Sequence, residues 1–285
     1  MKVISTISEL QSRIKSLNLS PVGFVPTMGA LHKGHLSLVE RAIPDCPLII
    51  VSIFVNPTQF NDKNDLKNYP RTLDSDLEML DTVLRQADIV FTPSVEEMYP
   101  AEDKRVFRFG NLDNVMEALH RPGHFNGVAQ IVSRFFEIIK PDIAIFGLKD
   151  FQQLAVIKEM VRQTRDKVKI VGSPIIREAD GLAMSSRNML LEPEIRKNAP
   201  IIYKTIKQAS SMIREKDIPE IKSFVKGSIE NAENFELIYF DIVDELELKP
   251  VTKKTKMNAG KKYYGCIAVK AGKIRLIDNI EIGLD

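Results

Sequence analysis

The 285-residue sequence has only two cysteines, Cys46 and Cys266, far apart and outside any CxxC or Cys/His spacing. Structural zinc therefore has no ligand set, and a reducing cytoplasm is the expected compartment. Charge of one sign is also missing. Forty Lys and Arg against 38 Asp and Glu leave +2, which gives nucleic acid no electrostatic footprint. The lysines of "KPVTKKTKMNAGKK" (249–262) read as a polar loop. No stretch approaches the ~20 apolar residues of a membrane span. The first twenty residues, "MKVISTISELQSRIKSLNLS", lack the apolar centre of a signal peptide. A cytoplasmic protein with neither nucleic-acid nor membrane partners is expected.

What is present is the material of a core: 44% hydrophobic and 27% charged residues, in a chain long enough for one large or two ordinary domains. "VGFVPT" (22–27), "PLIIVSIFV" (47–55), "ADIVFTP" (87–93), "PDIAIFG" (141–147) and "VKIVGSPII" (168–176) read as strands, and the second could be an edge or a central strand. Between them, "GHLSLVERAI", "TLDSDLEMLDTVLRQ" (72–86), "VAQIVSRFFEIIK" (128–140) and "KDFQQLAVIKEMVRQTRD" (149–166) read as helices, with Thr72 as a cap for the second. This cadence predicts an α/β, Rossmann-like doubly wound parallel sheet over residues 1–176. From 177 to 285 the pattern changes to helices (193–216 and "PEIKSFVKGSIENAEN") followed by strands at 235–244, 263–271 and 273–282. A second, smaller α+β C-terminal domain is expected there, with "AGK" as the hairpin between the last two strands.

All four histidines fall in two short glycine-containing motifs. "PTMGALHKGH" (26–35) carries His32 and His35 where the first of those strands leaves the sheet; "HRPGHF" carries His120 and His124. Ligands of open parallel sheets bind beyond the strands' carboxyl ends. Gly29 lets the chain turn, Gly34 lets a ligand approach, and a helix opening there offers unpaired N–H groups to phosphate. His32 and His35, three apart, can face one side of its first turn. A metal pair would want a third ligand, and "HKGH" has none nearby. Surface histidines and a nucleotide site both stay open on this motif alone. "IFGLKDFQQ" (145–153) repeats the strand-exit architecture with Gly147, Lys149 and Asp150. "GLAMSSRNMLL" (181–191) adds Ser185, Ser186 and Arg187 after the last parallel strand, a set suited to phosphate. Three such motifs at one sheet edge point to a nucleotide.

Taken in order, "PTMGALHKGH", "FVNPTQF", "HRPGHFNGV", "FGLKDFQQ" and "MSSRN" resemble the pantoate–β-alanine ligase family, within the nucleotidylyltransferase superfamily that includes class I aminoacyl-tRNA synthetases. The motifs span residues 26–188; the C-terminal third matches in size and architecture. The resemblance implies condensation of pantoate with β-alanine at the expense of ATP, through pantoyl adenylate, in a homodimer. It implies that His35 is a proton-donating catalytic histidine with His32 its phosphate-binding partner, and that Lys149 and Arg187 complete the catalytic set. It implies an ATP site from Met28, Gly29, Ala30, Leu31, His32, Lys33, Gly34 and His35. Gly147, Leu148, Lys149 and Asp150 (its carboxylate on ribose), Ile176 (backbone to adenine), Met184, Ser185, Ser186 and Arg187 would join them. Gln59, Gln153, Arg121 and His124 would bind pantoate, and Gln59 would also meet β-alanine. Two positions depart from the family pattern: Lys33, where an acid is common, and "TLDSDLEM", where consecutive aspartates are common. Magnesium is expected with ATP, with Asp76 as its protein ligand. An adenylyltransferase of the same superfamily would keep the histidine pair without needing "FVNPTQF" or the two glutamines. A regulatory protein with lost chemistry would be expected to lack His35, Lys149 or Arg187, and a tRNA ligase would carry an added RNA-binding domain.

Overall fold

A computed structural model describes residues 1–61, 63–258 and 260–283, and the backbone alone at Lys63. Ala259, inside the lysine-rich stretch, lies outside the described residues. The chain divides into two compact units, the first built from Met1–Phe109, Arg121–Leu148 and Val156–Pro174, the second from Gly110–His120, Lys149–Ala155 and Ile175–Asp285. Among the described residues no helix is long and apolar enough to cross a membrane.

The first unit is α/β. Its sheet has six parallel strands: β1 (Lys2–Ile4), β2 (Val22–Thr27), β3 (Leu48–Ile53), β4 (Ile89–Phe91), β5 (Ile143–Gly147) and β6 (Lys169–Ser173), in the order β1-β4-β3-β2-β5-β6. The chain builds outward from β2 through β3 and β4, then returns to β2's other side with β5. The switch point therefore lies between β2 and β5, where a ligand crevice is expected. The apolar run "LIIVSI" is central rather than an edge, which explains why five of its six residues are buried. On one face, Phe135 of the helix His124–Ile139 meets Phe24 of β2 with ring centroids 5.3 Å apart and Phe91 of β4 at 6.3 Å. Each such buried ring contributes about 1.5–3 kcal/mol. On the other, Leu38, Val39 and Ala42 of the helix Lys33–Ala42 pack with Val25, Val51, Leu80 and Leu84.

The second unit holds the antiparallel sheet of β7 (Phe235–Asp244), β8 (Tyr263–Ala271) and β9 (Ile274–Ile282), in that order. Helices Ile201–Met212 and Ile218–Glu230 bury Ile202, Ile206, Ile221 and Val225 against Ile267 and Val269. The β8–β9 hairpin turns at Gly272, φ +60°, where a Cβ would lie 2.6 Å from Ile195 Cδ1.

Three local expectations change. The helix expected over 72–86 is Leu73–Asp81, and Thr72 does not cap it; its hydroxyl donates instead to Asp76. The helix expected over 193–216 breaks into Pro193–Asn198 and Ile201–Met212 at Pro200, whose ring cannot continue the first of them. The expected helix at 128–140 starts earlier, at His124, so that "HFNG" is its first turn rather than a loop.

Candidate active site

Beyond β2 the chain reverses through Gly29 (φ +77°) and Ala30 (φ +49°) before entering the helix Lys33–Ala42. A buried carboxylate holds this turn. Asp76 Oδ2 accepts the N–H of Ala30 at 3.0 Å, and Oδ1 accepts the N–H of Leu31 at 2.7 Å and the Thr72 hydroxyl at 3.2 Å. Gly29 has no room for a side chain, because a Cβ would stand 2.9 Å from Asp76 Oδ2. Asp76 was the expected magnesium ligand, and its environment does not fit that role. It is 2% exposed and both oxygens accept hydrogen bonds from the loop. Among the described residues, no group of three His, Cys, Asp or Glu could hold a metal ion.

The histidine pair closes the start of the helix. His32 is its N-cap: His32 Nδ1 accepts the N–H of Gly34 at 3.1 Å, and the N–H of His32 donates to His35 Nδ1 at 3.3 Å. This is a capping box built from imidazoles. Its chemical consequence is the tautomer. A ring nitrogen that accepts an N–H carries no proton, so in each neutral ring Nε2 is the N–H donor. The two rings lie 4.1 Å apart, as the spacing predicts. Lys33 between them is exposed.

Beyond β3, "FVNPTQF" forms the short 3₁₀ turn Pro57–Gln59. Gln59 is buried; its Nε2 donates to Met28 Sδ at 2.8 Å, and its Oε1 accepts from Asn56 Nδ2 at 3.3 Å. Asn56, which sequence reasoning missed, is the hub: it also donates to the Gly127 carbonyl at 3.1 Å and accepts the Tyr99 hydroxyl at 2.8 Å. Burial pushes the Tyr99 hydroxyl above its ordinary pKa, so it stays protonated and donating. The only sequence signal for Asn56 was its place inside a motif already singled out for its glutamine.

"HRPGHF" separates its histidines. His120 is exposed and stacks on Tyr239, centroids 5.8 Å apart, in the second unit. His124 is buried in the first unit with both ring nitrogens engaged: Arg121 Nη1 lies 2.9 Å from Nε2, and Nδ1 lies 2.8 Å from the Gln59 carbonyl. A guanidinium only donates, so Nε2 accepts and Nδ1–H donates to Gln59, the tautomer opposite to that of His32 and His35. His124, expected at pantoate, ties half-exposed Arg121 to the Gln59 backbone.

A match to the Pantoate-beta-alanine ligase family model runs over residues 2–281. The chain belongs to the pantoate–β-alanine ligase family. It is 50% identical over 283 residues to the pantothenate synthetase of Bacteroides thetaiotaomicron, covering 99% of both chains, and 46% identical over 284 residues to that of Porphyromonas gingivalis. Among solved structures, the pantothenate synthetase of Thermus thermophilus superposes with a TM-score of 0.90 at 40% identity, covering 99% of both chains. The Francisella tularensis ligase, solved with β,γ-ATP and β-alanine, gives 0.80 at 32% identity over 98% of this chain and 97% of that one. The protein is accordingly a ligase, and its α/β fold is that of these enzymes.

The remaining expected site residues lie around β5, β6 and in the second unit. Gly147 ends β5, and the N–H of Leu148 donates to the Ser173 carbonyl of β6 at 2.8 Å. Lys149 and Asp150 are half-buried and precede the helix Phe151–Thr164, on which Gln153 is half-buried. In the second unit, residues 176–184 form a narrow hairpin. Met184 N–H donates to the Ile176 carbonyl at 2.9 Å and Arg177 bridges to Ala183. The hairpin feeds Ser185, whose Oγ caps the turn Ser186–Leu190 by accepting the N–H of Arg187 at 3.3 Å.

Proposed function

We propose that this ligase joins pantoate to β-alanine with ATP, releasing AMP and pyrophosphate through a pantoyl-adenylate intermediate. The observation that carries this reading is the imidazole capping box, which presents two Nε2–H donors beside a helix N-terminus at the sheet's switch point. A pantoate carboxylate oxygen attacks the α-phosphorus of ATP, the bond to the bridging oxygen breaks, and pyrophosphate leaves. Negative charge gathers on the phosphate oxygens during this step, and fixed donors aimed at that charge supply the main stabilisation. His35 donates a proton toward the phosphates, His32 binds them, and Lys149 and Arg187 neutralise them. The amine of β-alanine then attacks the acyl carbon, AMP departs on its phosphate oxygen, and the amine loses a proton to solvent.

Residues Met28 to His35, Gly147, Leu148, Asp150, Ile176, Met184, Ser185 and Ser186 line the nucleotide, with the Asp150 carboxylate on ribose. Gln59, Gln153 and Arg121 hold pantoate, Gln59 also meets β-alanine, and His124 steadies Arg121 and Gln59. Amide side chains suit a hydroxy acid because they donate and accept together. Magnesium accompanies ATP by charge on its own phosphates, with no ligand from Asp76. The enzyme works in the cytoplasm as a homodimer, a state that light scattering would check.

The test is incorporation of labelled pyrophosphate into ATP with pantoate present and β-alanine absent. Exchange that requires pantoate and falls by about one to two decades in His35→Ala supports the reading. Exchange driven by a phosphorylated coenzyme precursor instead would move the protein to adenylyl transfer.

A further inference from the structure

Two nucleotide-holding segments of the second unit converge on one point of β9. Arg177, at the base of the 176–184 hairpin, grips Asp278 with both arms, Nη1 to Oδ2 at 2.6 Å and Nη2 to Oδ1 at 2.9 Å. The same Nη1 donates to the Gly181 carbonyl at 3.2 Å, across the hairpin's turn, and the guanidinium carbon lies 3.6 Å from the centre of the Tyr203 ring. Gly181, at φ +96°, has no room beside that ring, since a Cβ would stand 2.8 Å from Tyr203 Cδ1. Asp278 also accepts the N–H of Asn279 at 2.8 Å. Asn279 in turn donates from Nδ2 to the carbonyl of Lys149 at 3.1 Å. Asp278 and Asn279 are 3% and 5% exposed, so in each bond this partner is shielded from water.

We propose that Arg177, Asp278 and Asn279 form a positioning brace that sets Lys149 and the Met184–Arg187 segment relative to one another before ATP binds. This rests on the reading that both segments hold the nucleotide. A charge-bearing lysine on a flexible stem gains little from its own rigidity, so its backbone must be fixed from outside. The Asn279 amide does this at the residue's own carbonyl. The buried ion pair gives the hairpin a single seat, and a lone buried Asp278 without Arg177 would be strongly unfavourable.

The experiment is a double-mutant cycle of Asn279→Ala and Lys149→Ala on the full-length enzyme, read by ATP affinity in calorimetry and by kcat and KM for each substrate. Asn279→Ala is expected to weaken ATP binding about five- to thirtyfold, the worth of one buried hydrogen bond, and to leave the pantoate KM unchanged. In the Lys149→Ala background the same change should have little further effect, because it acts through that residue. Additive effects in the cycle, or a folded Asn279→Ala enzyme with unaltered ATP affinity, overturn the proposal. If Lys149→Ala itself leaves ATP affinity and rate intact, the assignment of Lys149 fails first and the brace fails with it. Should Asn279→Ala not fold, Asn279→Leu, which keeps the side chain's volume but has no N–H to give the Lys149 carbonyl, replaces it in the cycle with the same expected outcomes.

Discussion

His35 Nδ1 accepts the backbone N–H of His32 at 3.3 Å, so one imidazole both caps a helix and fixes its own tautomer. Structure and chemistry can be separated at this position. In His35→Gln the side-chain oxygen can still reach back to the His32 N–H, as Gln does at the third position of ordinary capping boxes. Its thermal stability should stay near the parent's, whereas His35→Ala loses about 1 kcal/mol. Both should lose one to two decades in pyrophosphate-exchange rate, the cost of a charged hydrogen bond of about 1.5–3 kcal/mol at ~1.36 kcal/mol per decade. An active His35→Gln enzyme would show that capping, not proton donation, is what the residue supplies.

Asp76→Asn distinguishes a loop-holding carboxylate from a metal ligand. An amide NH₂ must replace one of the two carboxylate oxygens and face the N–H of Ala30 or Leu31, leaving a buried donor unpaired at a cost of about 1–3 kcal/mol. The Gly29–Leu31 turn should loosen and the KM for ATP rise. The magnesium concentration for half-maximal activity should not move. A large shift in that concentration would restore Asp76 to the metal.

Much of this enzyme was readable in advance. "VGFVPT" and "LIIVSI" announced themselves as buried strands because they are nearly unbroken apolar runs. Spacing put His32 and His35 on one side of a helix start, while their roles came only from the family resemblance. What escaped detection was short or remote. Strand β1 has three residues, too few for any period, and is recognisable only by its pairing with β4. Asp76 was singled out, but for magnesium; its hold on a turn 46 residues away was not foreseen, nor that Asn279 meets Lys149 across 130 positions. Nothing local marks either contact. The caps show the same limit from the other side. Thr72 had the expected residue type but spends its hydroxyl on Asp76, while His32, not a preferred cap, makes one.

Gly127→Ala should strike pantoate and spare ATP. A Cβ at 127 would lie 2.4 Å from the Thr58 carbonyl oxygen, a contact with backbone that no rotamer relieves. The turn carrying Gln59 must then shift, with the Asn56–Gly127 and His124–Gln59 bonds strained. The expected outcome is a pantoate KM raised at least tenfold, since ~1.4 kcal/mol suffices for that, beside a near-normal ATP affinity by calorimetry. Equal losses for both substrates would mean that the whole first unit, not this turn, had been disturbed.

Acid stability should depend on Asp103. Its carboxylate takes Arg105 Nη2 at 2.6 Å and is 12% exposed, and the Arg105 hydrogen bonds hold its pKa below the ordinary value against the opposing pull of burial. A depressed folded pKa means that the unfolded chain takes up the proton first as pH falls. The stabilisation is therefore complete above the usual aspartate value of about 3.9 and is lost as pH drops through the folded pKa. Asp103→Asn should be less stable than the parent in urea at pH 7, and the gap should narrow as pH falls below about 3.9 and close only below the depressed folded pKa of Asp103. Arg105 also pairs with Glu137 at 2.6 Å, so some anchoring of the 103–105 segment to the helix His124–Ile139 survives in the variant. A gap between the two proteins that stays constant from neutral to acid pH would mean that Asp103 acts there by packing and not by charge.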